Sequence, residues 1–260
     1  MCSGSPYRFS HKDVELSPKG FNWKIFYTMP LKDVQYMRIV LRIGGSVFAS
    51  PIKPDLVNKY AALLRKLVKS GHVVAVVVGG GVLAREFIGV AKSLGLREEA
   101  QDEVAISVSR IYAQLFLNTL GEIGYDTVPT TIDDAVECLD GGKIVVMGGL
   151  KPGMTTDTVA ALIAEKVKAD LLIKASDQEG IYDKDPRKHS DAVKLDRIKL
   201  ENLSQVCTED QHKAGIHQII DPEAVKVLKR SRIKVVVVMG FKPENVLKAI
   251  EGKKVGTFVD

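Results

Sequence analysis

Three strand-like runs of this sequence end directly in glycines, and this arrangement limits the possible folds more than any other feature. The runs are "RIVLRI", "VVAVVV" and "IVVM", and they lead into Gly44-Gly45, Gly79-Gly80-Gly81 and Gly148-Gly149. Continuous β-branched runs are typical of strands in a parallel sheet, because such strands are buried on both faces. We therefore expect a mainly parallel central sheet that helices cover on both sides.

The rest of the chain alternates between helix and strand patterns in the same way. Helical apolar spacing predicts helices at "LVNKYAALLRKLV", "VLAREFIGVAKSLG", residues 100–120, "TTDTVAALIAEKVKA", "DPEAVKVLKRS" and "PENVLKAIEG". Strands are predicted at "DLLIKA", "KVVVVM" and the closing "VGTFV", and a polar loop at "SDQEGIYDKDP". This alternation indicates the α/β class.

The composition is that of an ordinary globular protein. Its 260 residues are 45% hydrophobic, which is enough for one large α/β domain or two small ones. The net charge of +5 is interspersed with acidic residues, so nucleic acid is not an expected partner. Cys2, Cys138 and Cys207 lie far apart, which fits a reducing cytosol. No apolar run reaches the roughly 18 residues of a membrane span. We therefore expect a cytoplasmic protein that has no membrane segment.

Residues 1–36 differ in pattern from the rest of the chain. They mix Ser, Pro, Gly, Lys and aromatic residues without a sustained period. We interpret them as a poorly ordered extension. A wrongly assigned upstream start and a partner-binding arm are the alternatives. The regular pattern begins at Met37.

The glycine turns themselves have two interpretations. Each is either a tight turn or a place where the backbone approaches an anion, since helix N-termini bind phosphate. Ligands of parallel sheets bind at the carboxyl ends of the strands, so the three turns could line one cleft. A Cβ at Gly80 or Gly81 should then obstruct the ligand more than the fold, although at Gly81 it would also cost stability if the φ of that residue is positive. Gly79, Gly81 and Ala84 also fit a dinucleotide fingerprint. That fingerprint also needs an acidic residue about 20 positions further on, at the end of the next strand, to hold the ribose. Asp102 is near that distance, but it lies in a helical pattern, which argues against a dinucleotide-binding fold.

The segment Thr155-Thr156-Asp157, directly before a helical pattern, is a second candidate site. These side chains could simply cap the helix, but two hydroxyls and a carboxylate are more than a cap requires. In the polar loop, Tyr182 could stack on a base or simply pack. The histidines form no ligand cluster and nothing resembles a nucleophile–base pair, so no metal site of the protein is predicted. The expected chemistry is a direct transfer that depends on positioning and charge neutralisation.

Together these motifs resemble the amino acid kinase family, and within it the archaeal type of uridylate (UMP) kinase. The resemblance is carried by "MRIVLRIGGSV", "VAVVVGGGVLAREFI", "VVMGGLKPGMTTDTVAALIAE", "KADLLIKASDQEGIYDKDP", "KAGIHQIIDPEAVKVLKRSRIK" and "AIEGKKVGTFV". It implies a single domain over residues 37–260, folded as a three-layer α/β/α sandwich. It also implies a homohexamer that transfers the γ-phosphoryl group of ATP to UMP in pyrimidine nucleotide biosynthesis. Mg²⁺ would be brought in with the ATP.

The resemblance also assigns residues to the reaction. Catalytic roles fall to Arg42, Arg85 and Asp157, with Asp157 organising the transfer centre. The ATP-binding residues that it implies are Gly45, Ser46, Gly81, Arg85, Ser176, Asp177, Tyr182 and Asp185. The UMP-binding residues that it implies are Gly80, Asp102 at the ribose, and Leu150, Lys151, Pro152, Gly153, Met154, Thr155 and Thr156.

Two positions depart from the family pattern. Arg42 stands where much of the wider family has lysine, and it either neutralises a moving phosphoryl group with a different geometry or is a structural residue. Asp177 stands where archaeal members often have asparagine, which adds negative charge near the nucleotide. The alternative function is therefore a non-catalytic relative, a nucleotide-binding regulator or an oxyanion-storage protein. Isopentenyl phosphate ranks lower as a substrate, because Val82, Leu83 and Ala84 fill the space where that activity usually has a histidine.

Overall fold

The computed structural model describes residues 36–48, 52–203 and 219–260. The extension predicted for residues 1–36 lies outside the described residues, except for Tyr36. The strands are β1 (Arg38–Ile43), β2 (Val73–Val78), β3 (Val145–Met147), β4 (Leu171–Ser176), β5 (Ile181–Tyr182), β6 (Lys194–Leu195), β7 (Arg197–Ile198), β8 (Lys234–Met239) and β9 (Thr257–Val259). The α-helices are α1 (Gly45–Phe48), α2 (Pro54–Lys69), α3 (Gly81–Ser93), α4 (Glu98–Leu120), α5 (Ile132–Asp140), α6 (Thr156–Lys166), α7 (Pro222–Ser231) and α8 (Glu244–Ile250).

Seven of these strands form one sheet in the order β3-β2-β1-β4-β8-β9-β7. Neighbouring strands are parallel except for β8 and β9. A separate antiparallel pair, β5 with β6, lies in the segment predicted as a polar loop and the residues after it. The prediction of an α/β fold around a mainly parallel sheet is confirmed.

Helices cover both faces of the sheet, so the fold has three layers. Alternate residues of β1 face opposite sides: Leu41 packs in a core with α2 and α4, whereas Val40 packs in a second core with α5, α6 and α7. The first core also contains Tyr60 and Phe116, whose side chains are fully buried. Burial of such large side chains contributes about 1.5–3 kcal/mol each, so both helical layers are held mainly by apolar contacts with the sheet.

Some elements were not anticipated from the sequence. Helix α5 is one, although Thr131 caps it by accepting a hydrogen bond from the backbone N–H of Asp134 at 3.1 Å. The short strands β5, β6 and β7 are others. Within the described part of the chain, no helix has both the length and the apolar character needed to cross a membrane.

The strand order brings the three glycine turns next to one another. Strands β3, β2 and β1 are neighbours and run in the same direction, so their carboxyl ends lie at one edge of the sheet. The fourth strand in line, β4, ends at the same edge with Ser176. Gly45, Gly80 and Leu150, which are proposed for the two substrates, therefore follow the carboxyl ends of adjacent strands, where open parallel sheets bind ligands.

Candidate active site

The first two glycine turns are in direct backbone contact. A Cβ on Gly45 would lie 2.0 Å from the backbone nitrogen of Gly81 and 2.4 Å from its Cα. Gly81 has a φ of +62°, and its own Cβ would lie 2.5 Å from the carbonyl oxygen of Gly45. A Cβ on Gly80 would lie 2.5 Å from that of Ala84. The expectation that a Cβ in this turn would affect a ligand more than the fold is therefore wrong, because the fold itself requires these glycines.

The start of α3 has no side-chain cap. Its N-cap is Gly80, which has no side chain to bond the first N–H groups of the helix. These N–H groups and the positive end of the helix dipole favour a negatively charged ligand. Arg85 lies one turn into the same helix, and its side chain is exposed. Backbone and side chain thus place positive charge at the same end of α3.

The guanidinium of Arg42 lies against the glycine turns. Its Nη1 atom is 3.2 Å from the position that a Cβ on Gly44 would take, and its Nη2 atom is 3.4 Å from the equivalent position on Gly79. Nη2 also donates a hydrogen bond to Oγ1 of Thr156 at 3.0 Å. Arg42 therefore joins the first two turns to the start of α6, and the missing side chains of the glycines make room for it.

Asp157 is shared between two cations. Its Oδ1 atom is 2.6 Å from Nε of Arg42, and its Oδ2 atom is 2.5 Å from Nζ of Lys174. The three side chains are only 15%, 12% and 9% exposed for Arg42, Asp157 and Lys174. Lys174 also donates a hydrogen bond to the carbonyl oxygen of Ile219. Two cations therefore share one carboxylate in a largely buried cluster.

The cluster changes the acidity of its members. Burial would raise the pKa of Asp157, but the adjacent charges of Arg42 and Lys174 outweigh burial and lower that pKa below its usual value. For Lys174, burial lowers the pKa, Asp157 and Asp221 raise it, and Arg42 lowers it further. The net direction for Lys174 is downward, because burial, the largest of these influences, disfavours the charged ammonium. Asp157 is therefore ionised at neutral pH.

Helix α4 holds the third glycine turn and the segment after it. Ser109 accepts a hydrogen bond from the N–H of Gly149 at 2.7 Å, and Asp102 accepts one from the N–H of Gly153 at 2.7 Å. Arg110 donates to the carbonyl oxygens of Gly149 and Leu150, each at 3.0 Å. The predicted role of Asp102 at a ribose is compatible with this geometry, because the bond to Gly153 involves only its Oδ2 atom.

The segment from Leu150 to Met154 contains a well-defined turn. The N–H of Met154 bonds the carbonyl oxygen of Lys151 at 3.2 Å, with Pro152 and Gly153 between them. Gly153 has a φ of +73°, as the third residue of a type II turn requires. The side chains of Lys151 and Thr155 are exposed on either side of it.

Thr155 has a larger structural role than the sequence indicated. Its hydroxyl accepts a hydrogen bond from the N–H of Thr158 at 3.1 Å and donates one to Asp221 at 2.5 Å. Asp221 also accepts from the hydroxyl of Thr158 and caps the start of α7. Thr155 therefore caps the start of α6. The hydroxyl of Thr156 instead accepts a hydrogen bond from Arg42.

The residues proposed for the adenosine form a second group beyond β4. Asp177 pairs with Arg187, whose Nη2 atom is 2.7 Å from its Oδ2 atom, and Asp185 accepts a hydrogen bond from the backbone N–H of Arg187. Arg187 thus offsets the negative charge that Asp177 adds. Tyr182 lies on β5, where burial and the nearby charge of Glu179 raise its pKa. Its hydroxyl is therefore neutral, and the residue is half-buried.

Sequence reasoning missed several residues of this site: Ser109, Arg110, Lys174, Arg187 and Asp221. Lys174 had a recognisable signal, because it is a charged residue inside the apolar run "DLLIKA". Asp221 also had one, since Asp followed by Pro is a common helix start. The contacts of Arg110 and Arg187 depend on the tertiary structure and have no comparable signal.

Comparison with known proteins identifies the family of the chain. The model of the amino acid kinase family matches residues 37–239. The chain is similar to the uridylate kinase of Methanobrevibacter smithii, at 40% identity over 86% of this chain and 99% of that protein. It is equally similar to the uridylate kinase of Methanocaldococcus jannaschii, at 40% identity over 86% of this chain and 100% of that protein.

Solved structures give the same result. The crystal structure of uridylate kinase from Archaeoglobus fulgidus superposes with a TM-score of 0.78 at 37% identity, covering 86% of this chain and all of that one. A UMP kinase from Ureaplasma parvum shares the fold at 21% identity, with a TM-score of 0.71. The family match covers well over half of the chain, and the archaeal relatives are matched over nearly their full length. The chain therefore belongs to the amino acid kinase family.

Proposed function

We propose that this protein is a UMP kinase, which transfers the γ-phosphoryl group of ATP to UMP and forms UDP and ADP. The observation that carries the proposal is the position of Arg42, whose guanidinium lies against Gly44 and Gly79 at the carboxyl ends of adjacent strands. The activity for which the archaeal relatives are named supports the same reaction. Pyrimidine nucleotide biosynthesis in the cytoplasm is the proposed setting.

The proposed reaction is an in-line displacement at phosphorus. A phosphate oxygen of UMP attacks the γ-phosphorus of ATP, and the bond from that phosphorus to the β–γ bridging oxygen breaks. The attacking oxygen is already anionic near neutral pH, because the second pKa of a phosphate ester is about 6. A general base is therefore not required. Arg42, Arg85 and the N–H groups at the start of α3 would neutralise the negative charge of the transferring group.

The two substrates are proposed to approach from opposite sides of this centre. ATP would lie over Gly45, Ser46 and Gly81, with its adenosine beside Ser176, Asp177, Tyr182 and Asp185. UMP would lie over Gly80 and the turn held by α4, with its ribose at Asp102. The hydrogen bonds from α4 to this turn support that assignment, because they fix the acceptor side of the cleft before any substrate binds.

Mg²⁺ is proposed to enter with ATP. Among the described residues, no three His, Cys, Asp or Glu side chains are grouped to hold a metal ion, and Asp157 is already paired with two cations. This arrangement fits an ion that phosphate oxygens and water hold for the most part, as nucleotide-bound Mg²⁺ commonly is. When bound, the ion would supply further neutralisation of the phosphate charge.

The full-length protein tests the proposal directly. With ATP and Mg²⁺, formation of the diphosphate product is measured by chromatography for UMP, CMP, AMP and isopentenyl phosphate. UMP should be phosphorylated well ahead of the others. Faster turnover of isopentenyl phosphate would overturn the substrate assignment. Tight nucleotide binding without any transfer would instead favour the non-catalytic alternative.

A homohexamer is proposed as the assembled form. The helices α3 and α4 expose large apolar side chains, each between 44% and 71% exposed: Phe87, Val90, Leu94, Ile111 and Leu115. The first three, on α3 and at its C-cap, follow helical spacing and therefore form one stripe. Apolar patches of this kind mark contacts between proteins. Leu94→Asp should lower the mass measured by light scattering, whereas Val193→Asp, at an exposed apolar residue of a loop, should not.

Residues 37–260 are proposed to form the single functional domain. Strand β1 begins at Arg38, and the carbonyl oxygen of Met37 accepts a hydrogen bond from the N–H of Val73. A protein that starts at Met37 should therefore fold and keep the UDP-forming activity of the full chain. Circular dichroism, light scattering and the UMP assay would check this expectation. Loss of assembly or of activity would assign a role to residues 1–36.

Arg85→Ala should lower phosphoryl transfer by on the order of ten-fold or more, because one charge-assisted contact to phosphate is lost. Thermal stability should change little, since Arg85 is an exposed helix residue. Lys92→Ala is a matched control, because Lys92 is an exposed cation in the last turn of the same helix. If Arg85→Ala keeps wild-type turnover and UMP affinity, the start of α3 is not part of the transfer centre.

A further inference from the structure

Lys174 occupies an unusual position in β4. Its neighbours Leu171, Leu172, Ile173 and Ala175 are all buried and apolar, and Lys174 itself is buried. In the parallel register it lies directly beside Arg42 of β1. Adjacent buried cations repel, and buried ion pairs are often less stabilising than apolar side chains of similar volume. Stability alone therefore gives no reason for a lysine at this position.

The geometry of Asp157 suggests what Lys174 does. An arginine and a carboxylate in contact favour a bidentate pair, in which both oxygens are bonded by the same guanidinium. Here Lys174 occupies Oδ2, and Arg42 reaches only Oδ1 through Nε. The two terminal nitrogens of Arg42 are thereby kept away from Asp157. Nη2 bonds Thr156, and Nη1 and Nη2 lie beside Gly44 and Gly79.

Lys174 is itself held in place from the opposite side. It donates to the carbonyl oxygen of Ile219, which lies two residues before the cap of α7. That cap, Asp221, bonds Thr155 and Thr158 at the start of α6. Lys174 therefore connects the segment that enters α7 with the carboxylate of Asp157, because its ammonium group contacts both.

We propose that Lys174 is a positioning residue of the transfer centre: by holding Oδ2 of Asp157, it prevents a bidentate Arg42–Asp157 pair and keeps the guanidinium of Arg42 directed at the glycine turns. The catalytic consequence rests on the proposed function, whereas the geometric claim does not. Without Lys174, Arg42 should turn towards Asp157 and withdraw from the phosphoryl group.

The test compares Lys174→Met with the matched control Lys166→Met. Lys166 is also in an ion pair, with Asp133, but it lies exposed at the far end of α6. Lys174→Met should reduce kcat by on the order of 10–100-fold, as small misplacements of catalytic groups do, with little change in KM for ATP or UMP. Lys166→Met should keep the wild-type kcat.

The pKa of Asp157 gives a second readout of the role of Lys174. Asp157 is faced by Arg42 from β1 and by Lys174 from β4, while Asp221 of α7 faces Lys174. Removal of Lys174 takes away one of the two cations that lower the pKa of Asp157. The pKa of Asp157, followed by NMR of its side-chain carboxyl carbon, should therefore be higher in Lys174→Met than in the wild type and stay unchanged in Lys166→Met.

A crystal structure of Lys174→Met provides a readout that does not depend on activity. Arg42 should bond both oxygens of Asp157 and leave Thr156. If Arg42 keeps its wild-type contacts, or if kcat is that of the wild type, the positioning role is wrong. If the wild-type protein does not form UDP, only the proposed function is overturned. The crystal structure of Lys174→Met would still test whether Lys174 sets the position of Arg42.

Discussion

Asp157→Asn is expected to reduce phosphoryl transfer by on the order of a hundred-fold or more and to destabilise the protein by about 3–5 kcal/mol. Asparagine has nearly the same shape as aspartate, so packing is preserved and only the charge is removed. Arg42 and Lys174 then lie side by side in adjacent strands, both largely buried, without the carboxylate that paired them. Removal of one partner from a buried ion cluster is costly, because the remaining charges stay desolvated.

Urea unfolding and the UDP assay measure the two effects of Asp157→Asn separately. Asp133→Asn is the matched control, since Asp133 pairs with Lys166 while both side chains are well exposed; this change should alter stability little. The double variant Asp157→Asn/Lys174→Met should recover part of the lost stability, because only one uncompensated cation is left. Wild-type stability of the single variant would mean that the two cations do not depend on Asp157.

The stability difference should also depend on pH in a defined direction. The pKa of Asp157 in the folded protein is below its ordinary value of 3.8. A lowered carboxyl pKa stabilises the fold fully at pH values above the unfolded pKa, and this stabilisation is lost as the pH falls through the folded pKa. The difference in unfolding free energy between wild type and Asp157→Asn should therefore be full at neutral pH and shrink below about pH 4.

The sequence was sufficient to predict the main strands of the sheet and the edge at which the glycine turns lie. Strands such as Val73–Val78 are continuous β-branched runs, and this pattern persists whatever the strand packs against. The glycines that come after these runs locate the carboxyl edge of the sheet. Asp102 and Thr156 were correctly assigned to a helix and a helix start, because periodicity and capping are local properties of the chain.

The contacts that shape the site were not predictable, because they join distant parts of the chain. Thr155 looked available for a ligand, but its hydroxyl is bonded to Asp221, 66 residues away. Asp177 looked like an uncompensated charge, but the guanidinium of Arg187 lies beside it. In both cases the residue type was informative, whereas the partner depended on a turn or helix whose position the sequence pattern did not specify.

Gly45→Ala is expected to damage both the fold and the activity. The added Cβ would lie 2.0 Å from the backbone nitrogen of Gly81, 2.4 Å from its Cα and 2.9 Å from the carbonyl carbon of Gly79. All three neighbours are backbone atoms, so a change of side-chain rotamer cannot relieve the contact. The first two turns must separate instead, at a cost of at least the roughly 1–3 kcal/mol of an overpacked core.

That separation would also move the start of α3 away from Arg42, whose guanidinium lies beside Gly79. UDP formation by Gly45→Ala should therefore fall even in the fraction of protein that stays folded, as measured well below its melting temperature. Gly89→Ala is the matched control: Gly89 lies in the middle of α3, and a Cβ there meets no atom within 4 Å. Since alanine favours a helix over glycine by roughly 0.5–1 kcal/mol, this control should melt at a slightly higher temperature and keep full activity. Equal melting temperatures and activities for the two variants would show that Gly45 and Gly81 are not in contact, and that the paired glycine turns do not set the shape of the cleft.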